Sequence, residues 1–264
     1  MAGTGFERLE KLVYNRGMVQ SRETIFDKTI PHHILTRAVE GRRIFAREED
    51  CLRFVFQMYA ANMGRSVPNL HRQDIIKISQ SLLDNETIEK QSVIVEHQPL
   101  VNFLSFALVG NHYHFLLVPN SDNGIAKFMQ KLNVGYAKYF NLKYNRRGNL
   151  FEKPYKSIPI KNDSQLDAII CYINVINPLD VYQPGWREKG LSNREEAFDF
   201  LERYKFSSIL DLFGERRSKI IAPQQVLERF LPEGIAQNYE QYLDFVKDYL
   251  ENKTPSFNHL FLEY

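Results

Sequence analysis

The sequence predicts an α+β protein: a central antiparallel sheet with helices on one face, followed by a helical C-terminal appendage. Three observations predict it. Strand-like segments cluster in the first two thirds of the 264 residues, and the pattern after Pro178 is helical. Two apolar runs, Val101–Val109 and His112–Pro119, meet at Gly110-Asn111, a hairpin signal. A 3.6-residue apolar period then runs from about Gly124 to Tyr144. Strands first and helices last is the layout of an α+β chain, not of alternating βαβ units.

Element by element, residues 1–30 are polar and mixed in charge and read as an extension with one short helix. Pro31–Val39 (PHHILTRAV) suits a strand, which Glu40-Gly41 breaks. From Glu48 to Met63, the residues Leu52, Val55, Phe56, Tyr59 and Met63 recur at helical spacing. The stretch 64–98 reads as an insertion opened by Pro68, with Ile75, Ile76, Ile78, Leu82 and Leu83 marking a helix. After the hairpin, Ile125, Phe128, Met129, Leu132, Tyr136, Tyr139 and Phe140 form the buried stripe of the long helix. Arg146-Arg147-Gly148-Asn149 is a turn, and Tyr155–Ile160 a short strand. Asp163 or Ser164 caps a helix through Val175 that Asn177-Pro178 stops. Pro184, Gly185, Trp186 and Gly190 mark a boundary, and helices follow at about 193–204, 223–231 and 237–251. The chain thus divides into an extension (1–30), a core (31–180) with its insertion, and a helical C-terminal region (181–264).

Composition excludes several classes of function. With 44% hydrophobic and 13% aromatic residues and a net charge of +2, disorder is not the main state. A near-neutral balance means that any nucleic-acid function must come from charge gathered locally. Two cysteines, Cys51 and Cys171, exclude a disulfide scaffold and a cysteine-based zinc site. No apolar run approaches the ~20 residues that span a bilayer, and the first thirty residues lack a signal-peptide core. The expectation is a reduced cytoplasmic protein without membrane partners.

Three segments carry chemistry. His112-Tyr113-His114 lies in an apolar strand, so both imidazoles project from one face and can share a metal ion. The same spacing also suits two hydrogen-bonded surface histidines. Between Lys131 and Lys161 there are eight basic residues against one acid, Glu152, a local charge of +7. Six aromatics lie among them, Tyr136, Tyr139, Phe140, Tyr144, Phe151 and Tyr155. Such a mixture suits phosphates and unpaired bases, although Tyr136, Phe140 and Phe151 fit a buried stripe better. Third, Ser164–Pro178 is an apolar helix that carries Tyr172 and ends in Asn-Pro.

Several longer motifs join these segments. Asn111-His112-Tyr113-His114 is followed by Met129–Asn141 (MQKLNVGYAKYFN), then by Gly148-Asn149-Leu150-Phe151 and Tyr155-Lys156-Ser157-Ile158. Pro31–Phe45 precedes them and Tyr204-Lys205-Phe206-Ser207-Ser208 follows. In this order the chain resembles the single-tyrosine HUH-type transposases, insertion sequence 200-like and close to the REP-associated tyrosine transposases. The resemblance spans about 31–248, with 64–98 outside it. It implies a ferredoxin-like HUH core and the cleavage and rejoining of single-stranded or hairpin DNA. Tyr172 would attack the scissile phosphate and form a 5′-phosphotyrosine link. A divalent metal, Mg²⁺ or Mn²⁺, would sit on His112 and His114, with Asn177 as third ligand through its amide oxygen. Lys131, Lys138, Arg146, Arg147, Lys153 and Lys156 would hold the strand, and Tyr144 or Tyr155 would stack on bases. A homodimer is compatible with the family. The alternative is a hairpin-binding protein of the same fold that has lost cleavage.

One departure from the family pattern bears on these roles. The family places its tyrosine four residues before the asparagine, in Tyr-Ile-His-Leu-Asn-Pro. Here Tyr172-Ile173-Asn174-Val175-Ile176-Asn177-Pro178 is one residue longer. Counting forward from Gln165-Leu166 selects Tyr172 as the nucleophile, and counting back from Asn177 selects Ile173. On a regular α-helix, residues five apart diverge by roughly 140°. A π-type turn between Tyr172 and Asn177 would absorb the extra residue and return both side chains to the histidine face.

Overall fold

The computed structural model of the chain describes residues 26–63, 72–84, 98–212 and 214–231. Most of the extension, Pro68, the ends of the 64–98 segment and the helix expected at 237–251 lie outside the described residues. The elements, in chain order, are β1 (His32–Arg37), α1 (Glu48–Asn62), α2 (Arg72–Asp84), β2 (Val101–Val109), β3 (His112–Pro119), α3 (Gly124–Lys143) and β4 (Lys156–Pro159). Next come α4 (Asp163–Cys171), a π-helical turn (Tyr172–Ile176), α5 (Asn177–Tyr182), α6 (Trp186–Lys189), α7 (Arg194–Leu201), α8 (Ile209–Leu212) and α9 (Gln224–Phe230). The fold is α+β, as the sequence predicts.

The four strands form one antiparallel sheet in the order β2-β3-β1-β4. The β2–β3 hairpin turns at Gly110, whose φ of 43° lies in the left-handed region that glycine tolerates. Helices cover both faces of the sheet, where the sequence reading expected them on one. The reason is visible in β2 and β3, which are apolar without alternation and buried along nearly their whole length. A strand that is apolar on both sides needs a layer on each. One face carries Ile34, Phe103, Phe106, Tyr113, Phe115 and Leu117 against α1, α2 and α3. The other carries Ala107, Val109, Leu116 and Val118 against α4, the π turn, α5 and α7 to α9.

The segment read as an insertion contributes to the first layer, since Ile75, Ile78, Leu82 and Leu83 of α2 are buried there. Residues 206–208 and Ala222 meet the open edge of β2. Leu108 N donates to Phe206 O, Ser208 N to Phe106 O and Ala222 N to Phe103 O. This covers a row of strand amides and carbonyls that would otherwise be an exposed edge. The described part of the C-terminal region, through Leu231, therefore shares the core of the sheet's second face.

α3 starts where the chain passes tightly over the residues preceding β2. A Cβ at Gly124 would lie 2.3 Å from the Leu100 carbonyl oxygen, a backbone atom that cannot step aside. Gly124→Ala should lower stability by about 1–3 kcal/mol, the usual cost of overpacking. Urea unfolding measures it, and an unchanged midpoint would mean that the helix start shifts freely.

Candidate active site

His112 and His114 sit on β3 and share the face covered by the π turn, with ring centroids 5.0 Å apart. Both are buried. Each ring is oriented through Nδ1: His112 Nδ1 lies 2.7 Å from Asn111 Oδ1, and His114 Nδ1 lies 2.9 Å from His33 Nε2. Fixing one ring nitrogen by hydrogen bond leaves the other, Nε2, as the nitrogen for a cation. For His114 this holds when Nδ1 carries the proton and His33 accepts it.

His33 was absent from the sequence reading. It faces the same side because β1 lies between β3 and β4, with His33 opposite Leu116 and Leu35 opposite His114. Its ring is nearly parallel to that of His114, with centroids 5.2 Å apart. The register also sets Arg37 directly across from His112. The half-buried Arg37 is therefore the cross-strand neighbour of His112 on the same face.

Tyr172 opens the π-helical turn, and Asn177 N donates to Tyr172 O across five residues. The widened turn expected from the extra residue is present. It places the Tyr172 ring against His114, at 5.3 Å, and against His33, at 6.1 Å, both edge to face. The neighbouring Cys171 thiol is pushed well up by burial, so it stays protonated beside the tyrosine.

A second one-residue insertion holds the turn. β2 carries a bulge between Phe103 and Ser105, and a one-residue slip moves a side chain to the opposite face. Ser105 thereby faces the helices. Its Oγ accepts from Asn174 Nδ2 at 2.8 Å, while Asn174 Oδ1 accepts from Ser208 Oγ at 2.7 Å. Ser208 Oγ also accepts from Phe106 N at 3.0 Å. Ser208 thus clamps the π turn to the sheet through a buried polar network with Asn174 and Ser105.

Asn177 is engaged at both ends of its amide. Nδ2 donates to Tyr172 O at 2.9 Å, and Oδ1 accepts from Arg187 Nη2 at 3.2 Å. As a metal ligand its oxygen would have to share its lone pairs between the cation and the guanidinium. Among the described residues no group of three His, Cys, Asp or Glu side chains comes together to hold a metal ion. The imidazole pair offers two nitrogen donors on one face, the chemistry of a partial site for a divalent cation.

The basic residues divide between the two faces. Lys131 and Lys138 are exposed on α3, so the sheet stands between them and Tyr172. Lys156 on β4 pairs with Leu35, which pairs with His114, so it lies in the histidine row. Arg146, Arg147 and Lys153 lie on the loop between α3 and β4. That loop docks at the His112 end of the sheet, where Glu152 N donates to Arg37 O and Val39 N to Leu150 O. Arg146 helps to close the loop, donating to Asn141 Oδ1 at 2.7 Å and Asn149 O at 3.0 Å. Lys143 and Tyr144 are turned to the buried Asp50 carboxylate. Tyr155 is half-buried, and burial pushes its hydroxyl up to about 12.

The IS200-like transposase family model matches residues 75–175, which include β2, β3, α3, β4 and Tyr172. The match starts inside the 64–98 segment and stops before Asn177. Over these residues the match agrees with the resemblance read from the motifs. No curated protein matches the chain. Among solved structures, a REP-associated tyrosine transposase bound to a REP hairpin is similar, with 11% identity and a TM-score of 0.44. The likeness covers 78% of this chain and 93% of that one.

Proposed function

We propose that this chain, related over residues 75–175 to the IS200-like transposases, cleaves and rejoins single-stranded DNA with Tyr172 as nucleophile. The observation that carries the reading is the π turn, which presents the Tyr172 ring to His114 despite the extra residue. The phenol oxygen attacks the scissile phosphorus, and the 3′-oxygen leaves and takes up a proton. The product is a 5′-phosphotyrosine ester with a free 3′-hydroxyl. Because the ester keeps the phosphodiester's energy, attack by another 3′-hydroxyl rejoins DNA without a nucleotide cofactor.

His112 and His114 would hold a divalent metal, Mg²⁺ or Mn²⁺, and imidazole ligation suits Mn²⁺. When bound, such an ion stabilises the charge that builds on the phosphate oxygens. Asn111 and His33 orient the two rings for that purpose. The scissile strand runs past Lys156, Lys153, Arg147 and Arg37 toward His112. Arg146 shapes the loop that carries two of these cations. Lys131 and Lys138, on the other layer, meet flanking duplex or hairpin DNA.

The deciding experiment incubates the protein with labelled single-stranded hairpin DNA and Mn²⁺ and looks for a covalent protein–DNA band. Binding without that band favours a hairpin-binding protein that has lost cleavage. For binding itself, single-strand contacts give a salt slope of about −0.7 per phosphate. Lys153→Ala with Lys156→Ala should flatten the log–log slope by about 1.4. A slope equal to that of the unmodified chain would remove these two lysines from the path.

A further inference from the structure

We propose that Arg187 is the positioning residue of the nucleophile, locking the Tyr172 ring and both ends of the π turn; this rests on the reading of Tyr172 above. Its guanidinium carbon lies 5.4 Å from the centroid of the Tyr172 ring, over the ring. Nη2 donates to Asn177 Oδ1, and Asn177 Nδ2 in turn donates to the Tyr172 carbonyl. One side chain thus touches the residue that begins the widened turn and the residue that follows it. Asp180, on α5, grips the same guanidinium through Nε and Nη2. The arginine is anchored before it acts on the tyrosine.

The need for such a lock follows from the turn. A π-helical turn is a single-turn departure from the α-helix around it, of a kind frequent at functional sites. An aromatic ring with a cation over its face is held by charge–quadrupole attraction without blocking its hydroxyl. His114 and His33 meet the ring edge to face, and Arg187 lies over it, so three neighbours fix a side chain that must reach one phosphorus atom. A misplacement of about 1 Å in such a geometry costs on the order of 100-fold in rate. Arg187 is ten residues beyond Asn177, in the turn-rich stretch around Pro184-Gly185-Trp186, where no motif marks it.

The test compares the unmodified chain with Arg187→Gln, Arg187→Lys and the double change Arg187→Gln/Asp180→Asn, which avoids leaving Asp180 uncompensated. Three readouts are taken: affinity for hairpin DNA, the single-turnover rate of covalent adduct at saturating DNA, and the ¹⁹F spectrum of 3-fluorotyrosine placed at position 172. Arg187→Gln and the double variant should bind DNA within about two-fold of the unmodified chain and form adduct about 100-fold more slowly. Arg187→Lys, which keeps the charge but not the fork, should recover part of the rate. The ¹⁹F resonance should shift and broaden in the free protein when Arg187 is replaced by Gln. Weaker binding with an unchanged rate at saturation would make Arg187 a DNA contact and overturn the proposal. An unchanged ¹⁹F spectrum would overturn it as well. If the unmodified chain forms no adduct, the cleavage reading fails, and the ¹⁹F comparison alone decides whether Arg187 positions Tyr172.

Discussion

Tyr172→Phe is expected to abolish covalent attachment to DNA while leaving the fold and DNA affinity in place. The change removes one oxygen and keeps the ring that packs on His114, His33 and Arg187. Loss of a nucleophile that no neighbour replaces should lower adduct formation by about 10⁴-fold or more. The adjacent Cys171 cannot stand in, because burial keeps its thiol protonated. The measurement is a denaturing gel of labelled hairpin DNA after incubation with Mn²⁺, beside a binding titration and a thermal melt. Adduct at the wild-type rate would move the nucleophile elsewhere. A lost adduct accompanied by a collapsed melting temperature would be a folding effect, and Tyr172 would then need a second test by peptide mapping of the wild-type adduct.

How far the sequence reaches can be judged residue by residue. The β2–β3 hairpin, α3 and the histidine pair are local patterns: a turn dipeptide, a period of 3.6 and a spacing of two. Local patterns survive into the structure because the residues that form them also bury one another. The π turn was legible for a different reason. One surplus residue between two recognisable landmarks must go somewhere, and a helix absorbs it as a π turn at least disturbance to either side. The bulge that answers it in β2 had no such landmark, although Ser105 is the one polar residue among the apolar positions 103–109.

His33 was out of reach because its role depends on which strand pairs with β3 and in what register. That is decided by the two cores on either side of the sheet, not by the segment PHHILTRAV itself. Arg187 was out of reach for a similar reason, as its contacts with Tyr172 and Asn177 are made after a change of chain direction at Gly185, where φ is 80°. The position of the helices had a signal that was read too simply. An antiparallel strand with one solvated face alternates, and β3 does not, so a second layer was already demanded by Tyr113, Phe115 and Leu117 on one side and His112, His114 and Leu116 on the other. With a layer on each face, the sheet separates Lys131 and Lys138 on α3 from the tyrosine, which a one-dimensional count of charges cannot reveal.

The double change His112→Ala with His114→Ala should suppress Mn²⁺-dependent adduct formation by about 10³-fold, the scale of several kcal/mol of lost charge stabilisation at the phosphate. Both Nδ1 atoms of the pair are committed, to Asn111 and to His33. Removing both rings also removes a contact of Tyr172, so activity alone would not separate metal binding from packing. Binding of Mn²⁺ followed by electron paramagnetic resonance does, since it needs no DNA and no turnover. The expected result is Mn²⁺ binding by the unmodified chain that weakens at least about ten-fold in the double variant, with the melting transition still cooperative. His33→Asn gives the intermediate case. It leaves both proposed ligands in place but takes away the acceptor that holds His114 with Nε2 turned to the cation, and Mn²⁺ affinity should fall by about 10-fold. Equal Mn²⁺ affinity in all three proteins would show that the histidine row serves packing, and the metal would then have to be sought away from β3.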